Sequence, residues 1–368
     1  MILLALFFAV TATISRLYHA REEGLVAEWF QRGNADLAAG KTARAFEDFR
    51  NSLSYAPDDA GVQLHLAEAL LADGRYSEAR SYLVNLWDET PGAGQVNLDL
   101  AHVSLQMGDL DQTTRYFQGA ILGSWEKDPA LHRRKARLEL CEFLLAHRRT
   151  AEAQAEIAGL AADTPTGTPA ENGVLREENG RLFLRAGKPA MALVEFEAAL
   201  QIDPRQSQWL ADAGQMAFED GDYLKAEGYF SRADRENPSD EIQSSLLLVR
   251  QILGNDPFLA GLSEEEKVRR VRRDFQQGLD RLRGCLATGS SKTSPAQPIS
   301  DLQHLNQEGR DLQGRMNLGF LNKNPEMQNE VMLFVFQVED AASRACGPPS
   351  GMDQALTLIE KRHQGNNL

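Results

Sequence analysis

The chain has 368 residues, of which 42% are hydrophobic, and its 53 acidic and 39 basic side chains give a formal net charge of −14. The hydrophobic fraction is typical of a folded chain with a sizeable core. The acidic balance argues against nucleic acid as a partner, because binding to phosphates needs a basic surface that displaces their counterions.

Residues 1–18 form an N-terminal hydrophobic segment. Residues 2–10 are all apolar, and Leu17 and Tyr18 extend the stretch to the lower limit of about 17 residues for a membrane-spanning helix. We expect a membrane anchor or an uncleaved signal here, with a buried helix docked on the next element as the alternative. Arg16 and Arg21 behind the segment favour a body that stays in the cytoplasm.

Residues 24–238 repeat with a period of 34. Pro57 and Pro91 are 34 residues apart, and so are Pro204 and Pro238. This period indicates helix–turn–helix units that bury their apolar faces only by stacking on one another. The spacing predicts repeats at 26–59, 60–93, 94–127, 130–167, 171–206 and 207–240.

Three kinds of position recur in these units. Each first helix has a small residue where the second helix crosses it: Gly33, Ala67, Ala101, Cys141, Gly180 and Gly214. The turn between the helices has a residue that tolerates positive φ, with Arg148 as the exception among Gly40, Gly74, Gly108, Gly187 and Gly221. Each second helix carries a large apolar plug: Phe49, Leu83, Phe117, Ile157, Phe196 and Phe230.

The first unit has its marker residues in a recognisable order, namely Trp29, Gly33, Gly40, Ala45, Phe49 and Pro57. With this W…G…G…A…F…P pattern the chain resembles the tetratricopeptide repeat (TPR) family. The resemblance implies an all-α fold, a right-handed TPR α-solenoid of about six helix–turn–helix repeats with a C-terminal helical cap domain. It also implies a non-enzymatic scaffold that binds a protein or peptide in a concave groove.

Beyond the repeats we predict a partial repeat and capping helices at 241–286, a linker at 287–300 and a C-terminal helical region at 301–368. Leu248 fills the small-residue position of a seventh first helix, so that helix is interpreted as the start of the cap. Residues 331–336 are apolar on all sides and must be buried, either inside this region or under a partner. Burial under a partner would suit the alternative function, a structural or assembly subunit of an envelope complex that uses this region for docking or oligomerisation.

Cys285 and Cys346 each lie at the end of a predicted helix. A disulfide between them would close a loop of about 60 residues and would indicate an oxidising compartment. Two free thiols in a reducing cytosol are the alternative. We favour a membrane-anchored, periplasmic-type body, and the cytoplasmic orientation stays open.

Motifs of catalysis are not found. The sequence has no phosphate loop, Rossmann glycine fingerprint, CxxC pair or HExxH helix, so we expect no enzyme, no cofactor and no metal site. His65 and Glu68 share a helical face but are too few for a metal. An accessory subunit of an enzyme is the remaining alternative, and a polar, ligand-sized pocket after residue 288 would favour it.

In TPR proteins the first helices line the groove. The resemblance therefore implies these groove candidates: Phe30, Asn34, Leu64, His65, Glu68, Leu98, Asp99, His102, Leu138, Glu139, Glu142, Glu177, Arg181, Asp212 and Gln215. Acids outnumber bases among them, which predicts a basic or neutral protein or peptide partner. Phe30 and His65 replace the lysine and asparagine with which some TPR cofactors grip a C-terminal carboxylate, so that partner is not expected.

Overall fold

A computed structural model describes residues 2–163, 168–289, 297–316 and 321–365. Within these ranges the chain forms seventeen helices and no strand. The helices divide into two compact units, Met1–Thr166 and Gly167–Leu368. The predicted all-α solenoid class is confirmed.

The first unit consists of four helix pairs. They are α1 (Ile2–Ala38) with α2 (Thr42–Leu53), α3 (Ala60–Ala72) with α4 (Tyr76–Glu89), α5 (Gly94–Gln106) with α6 (Leu110–Leu122), and α7 (Pro129–Ala146) with α8 (Thr150–Ala162). Short turns join the two helices of each pair. Gly40 has φ 70° in the first turn, and Arg148 has φ 58° in the last, so arginine adopts the left-handed conformation that glycine adopts in the other turns.

The small-residue position explains how the two helices of a pair approach each other. Phe49 on α2 is 0% exposed, and its ring lies against Gly33 on α1. A Cβ atom at Gly33 would lie 2.6 Å from a ring carbon of Phe49, which is too close for any side chain. The same pairing of glycine and phenylalanine recurs in the second unit at Gly180 and Phe196.

Helix α1 is longer than the other first helices. Its 37 residues join the predicted hydrophobic segment to the first repeat without a break. Among the described residues, no helix combines the length and the apolar character that crossing a membrane requires.

The second unit begins with two helix pairs and ends in a helical cap. Its elements are α9 (Pro169–Arg185) with α10 (Pro189–Ile202), α11 (Ser207–Glu219) with α12 (Tyr223–Glu236), then α13 (Asp240–Asn255), α14 (Glu264–Gly289), α15 (Gln297–Arg315), α16 (Pro325–Cys346) and α17 (Met352–Gly365). One hydrophobic core extends from Phe230 of the last pair to Phe275 and Phe334 of the cap. The cap thereby covers the apolar end of the last repeat.

One segment of the cap differs from the prediction. The predicted linker 287–300 is narrower, because α14 continues to Gly289 and α15 begins at Gln297; residues 290–296 lie outside the described ranges.

The apolar run 331–336 is largely buried inside the second unit. Five of its six side chains are at most 5% exposed, and only Leu333 is open to solvent. A docking role would need this run to be accessible, so the assembly alternative gains no support from it.

A disulfide bond joins the C-terminal parts of α14 and α16. The Cα atoms of Cys285 and Cys346 lie 5.8 Å apart, and their sulfur atoms are bonded.

The cap buries two carboxyl groups that the sequence pattern does not reveal. Asp274 on α14 is 0% exposed and Glu339 on α16 is 1% exposed. Neither carboxyl group has a hydrogen-bond partner among the described residues. Burial raises the pKa of each group to about 8, so both are protonated at neutral pH. The guanidinium of Arg281 lies 3.8 Å from Glu339 and offsets only part of this effect.

Candidate functional site

Three successive first helices of the first unit bring carboxylates to a common face. Glu68 lies on α3, Asp99 on α5 and Glu139 on α7, and we call these three side chains the acidic face. Their charges act on one another, since both Glu68 and Glu139 raise the pKa of Asp99. All three were groove candidates, and the structure brings them together.

Asp99 is the most buried member of the acidic face, with 4% of its surface exposed. Its Oδ1 atom accepts a hydrogen bond of 3.0 Å from the amide of Gln95. Its Oδ2 atom is buried and has no hydrogen-bond partner among the described residues. Burial, reinforced by the charge of Glu68, raises the pKa of Asp99 to about 7. The charge of His102 opposes this shift, and Asp99 forms no salt bridge within the described part of the chain.

The other two members differ in their surroundings. The Nε2 atom of His102 lies 2.6 Å from Oε2 of Glu139, and this hydrogen bond lowers the pKa of Glu139. Glu68 forms no such bond with another described residue. Burial raises its pKa, and the charge of His65 opposes the shift. Glu139 is therefore the member of the acidic face whose carboxyl group most readily stays ionised.

An aromatic group lies at the α1 end of the same first-helix series. The ring of Phe30 packs on that of His65 at 4.8 Å, and both contact Phe49. The two residues that replace the carboxylate-gripping pair thus pack on each other. Beside them a cavity of about 480 Å³ opens between α1 and the start of α3, with Glu22, Tyr55 and Phe30 among its walls.

The remaining candidates of the first unit have different exposures. Asn34, Leu64 and Leu138 are half-buried, and Glu142 is exposed. Leu98 is only 6% exposed, so it packs between repeats and does not form an open groove floor.

The candidates of the second unit form a separate group on α9 and α11. The Nη2 atom of Arg181 lies 2.8 Å from Glu177 and 3.6 Å from Asp212. Glu177 also accepts a hydrogen bond of 2.8 Å from the indole of Trp209. Gln215 is exposed and donates to Glu219 at 2.9 Å.

Sequence reasoning missed the part of this group that α13 contributes. Glu241 and Ser245 on α13, together with Gln208 and Asp212 on α11, line a cavity of about 170 Å³. Leu248, at the small-residue position of α13, led to the interpretation of that helix as the start of the cap. The position of α13 one period after α11 was the sequence signal that could have predicted the cavity.

The cap holds a further cavity, of about 480 Å³, between residues 257–261 and the first turns of α14 and α16. The rings of Phe258 and His363 stack at its wall with centroids 4.0 Å apart. Its charged lining residues Glu264 and Lys267 pair at 2.6 Å. The pocket is polar and of ligand size, but most of its lining residues precede residue 288, whereas the accessory-enzyme alternative predicts a pocket after that residue. No cluster of metal-ligating side chains occurs among the described residues.

Sequence comparison identifies repeats in both units. Family models described as tetratricopeptide repeat match residues 36–84, 70–122 and 178–241. No curated protein matches the sequence.

Solved structures with a similar helical arrangement include three TPR-type chains. The pilF protein of Pseudomonas aeruginosa is 19% identical, with 53% of this chain and 82% of that chain covered and a TM-score of 0.31. A TPR protein of Cytophaga hutchinsonii is 12% identical, with 66% and 93% covered and a TM-score of 0.43. YrrB, described as a TPR protein with an unusual peptide-binding site, is 14% identical, with 58% and 87% covered and a TM-score of 0.28. The chain therefore contains tetratricopeptide repeats in both of its units.

Proposed function

We propose that this TPR scaffold binds a basic segment of a protein partner along the first helices of its first unit. The observation that carries the proposal is the acidic face, in which three successive repeats each supply one carboxylate. A partner with lysine or arginine side chains at matching intervals would pair with Glu68, Asp99 and Glu139. Stacked helices hold these groups in place before binding, so little conformational entropy is lost.

The charge of the face also predicts how binding depends on salt and on the partner. The half-buried carboxylates of Glu68 and Glu139 attract a cationic segment toward the surface, and dissolved ions screen that attraction. Acidic segments would be repelled. The proposal is therefore one of charge selectivity, with packing against half-buried Leu64 and Leu138 as the apolar contribution.

The test uses the full chain and two fluorescent peptides that differ only in having lysine or glutamate at alternate positions. Fluorescence anisotropy should detect binding of the lysine peptide alone, weakening from low to physiological salt. The double substitution Glu68→Gln with Glu139→Gln should reduce affinity for it by about tenfold, because two charge-assisted contacts become neutral ones.

Glu47→Gln with Glu152→Gln is the matched control, since it removes the same two charges from exposed positions on the second helices α2 and α8. That control should bind like the natural chain. Equal binding of the glutamate peptide at low salt, or an equal loss in the control, would rule out the acidic face as the binding site.

We further propose that residues 1–18 attach the chain to a membrane and that its body lies outside the cytoplasm. The apolar composition of residues 2–10 supports the attachment, and the bonded cysteines of the cap support an oxidising compartment. Deletion of residues 2–18 should release the protein from washed membranes. Thiol trapping in cells of origin should find Cys285 and Cys346 bonded, whereas free thiols would indicate the cytoplasmic orientation.

A further inference from the structure

The small cavity between α11 and α13 has an acidic lining and is separate from the acidic face. Six polar side chains line it, and none of them is basic: Gln208, Asp212, Gln215, Ser239, Glu241 and Ser245. Phe230 and Ile242 supply its apolar wall. At about 170 Å³ it is well below the roughly 300–1,000 Å³ of pockets for whole small molecules. It has room for the end of one side chain.

The polar groups of this cavity chiefly offer acceptors. The amide of Gln208 donates to Oδ1 of Asp212 at 3.0 Å, and the amide of Gln215 donates to Glu219 at 2.9 Å. Ser239 accepts a backbone hydrogen bond as the N-cap of α13. The carboxylate of Glu241 adds a formal charge at the opposite wall. Asp240 and Glu241, both in the first turn of α13, offset the positive end of that helix dipole.

Asp212 has an acceptor atom that lacks a hydrogen bond. Its side chain is 23% exposed, but its Oδ2 atom is buried and accepts no hydrogen bond in the described part of the chain. The Nη2 atom of Arg181 on α9 forms an ion pair with this Oδ2 atom at 3.6 Å, which is longer than a hydrogen bond, and the same nitrogen lies 2.8 Å from Glu177. Burial raises the pKa of Asp212, the charges of Glu177 and Glu241 add to the shift, and Gln208 and Arg181 oppose it. A cation placed in the cavity would relieve this unfavourable setting.

We propose that the cavity binds the ammonium group of a lysine side chain of the protein partner. Acceptors surround it on α11 and on α13, which suits the compact ammonium with its three donors better than the planar fork of arginine. The inference rests on the proposed function, because it supplies a second anchor for the same class of basic partner.

The test uses n-butylammonium as the probe and the full chain labelled with ¹³C in its isoleucine δ1 methyl groups. Ile242 lines the cavity, so its methyl signal should report occupancy by NMR. Its signal should shift and saturate with n-butylammonium, while n-butanol should leave it in place. Affinity for n-butylguanidinium should be lower.

Two substitutions of opposite sign make the test specific. Asp212→Asn should weaken binding of n-butylammonium by about tenfold or more, because it removes the carboxylate whose Oδ2 atom lacks a hydrogen bond. Arg181→Met should strengthen it, because it removes the competing cation. Asp220→Asn, an exposed acid just after α11, is the control of equal charge and should change nothing.

An unchanged titration in Asp212→Asn, or an equal response to n-butanol, would overturn the inference, and tighter binding of n-butylguanidinium would overturn the assignment to lysine. The probe does not depend on the acidic face. Ammonium binding without any binding of the lysine peptide would refute the proposed function alone. Peptide binding that Glu68 and Glu139 control, without any ammonium binding, would refute this inference alone.

Discussion

Replacing Cys285 and Cys346 together by alanine is expected to lower the free energy of unfolding of the second unit by about 4 kcal/mol. The bond joins the ends of α14 and α16 across 61 residues of sequence. Its main effect is to restrict the unfolded chain, and the restriction grows with loop length. Hydrogen exchange of peptides from α14 and α16 measures the change, because these helices should exchange only when the cap opens.

A reducing agent provides the control for this experiment. It should weaken protection in the natural chain to the level of the double variant and leave the double variant unchanged. Peptides from α3 and α5 in the first unit should exchange alike in all samples. Undiminished protection of α14 in the reduced natural chain would show that the bond does not stabilise the cap.

The stability of the second unit is expected to fall by a few kcal/mol as the pH rises from about 4 to about 8. In the folded cap the pKa values of Asp274 and Glu339 are about 8, whereas in an unfolded chain they are near 4. Between these values the folded cap keeps two protons that the unfolded chain releases. Raising the pH therefore favours unfolding, and the stabilisation is lost as the pH passes through the folded pKa.

Amide substitutions separate this effect from the general response of an acidic protein to pH. Asp274→Asn and Glu339→Gln mimic the protonated groups, so both should unfold at higher urea than the natural chain at pH 8 and at similar urea at pH 5. Asp280→Asn, on the exposed side of α14, is the control and should keep the natural pH dependence. A natural chain whose cap is equally stable at pH 5 and pH 8 would contradict the prediction.

The repeats were predictable because their constraints are local. Gly33 and Phe49 occupy fixed positions of one helix pair, and the structure places the ring only 2.6 Å from where a Cβ atom at Gly33 would lie. The turn at Arg148 shows the limit of such a pattern. The residue type departs from glycine, yet φ is 58°, because the hairpin geometry outweighs the preference of a single residue.

The site was predictable only in part. The positions of Glu68, Asp99 and Glu139 along the first helices were enough to predict them as groove candidates. The burial of Asp99 could not be predicted, because it depends on how tightly adjacent repeats pack. Glu241 was missed because Leu248 ended the repeat pattern on one face of α13, although another face of that helix still borders α11. Asp274 and Glu339 were missed for a similar reason, since a helical pattern assigns polar positions to solvent until a third helix covers them.

The length of α1 has a mechanical consequence. At about 1.5 Å per residue its 37 residues measure about 55 Å from end to end. A flexible linker would let the first repeat rotate freely about a point of attachment. A continuous helix instead couples the orientation of the first repeat to that of residues 2–18. Gly24 lies on the exposed surface of α1, where a Cβ atom would meet no described atom within 4 Å, and a glycine inside a helix costs about 1 kcal/mol relative to alanine. Anything that holds residues 2–18 therefore also sets the direction in which the acidic face points.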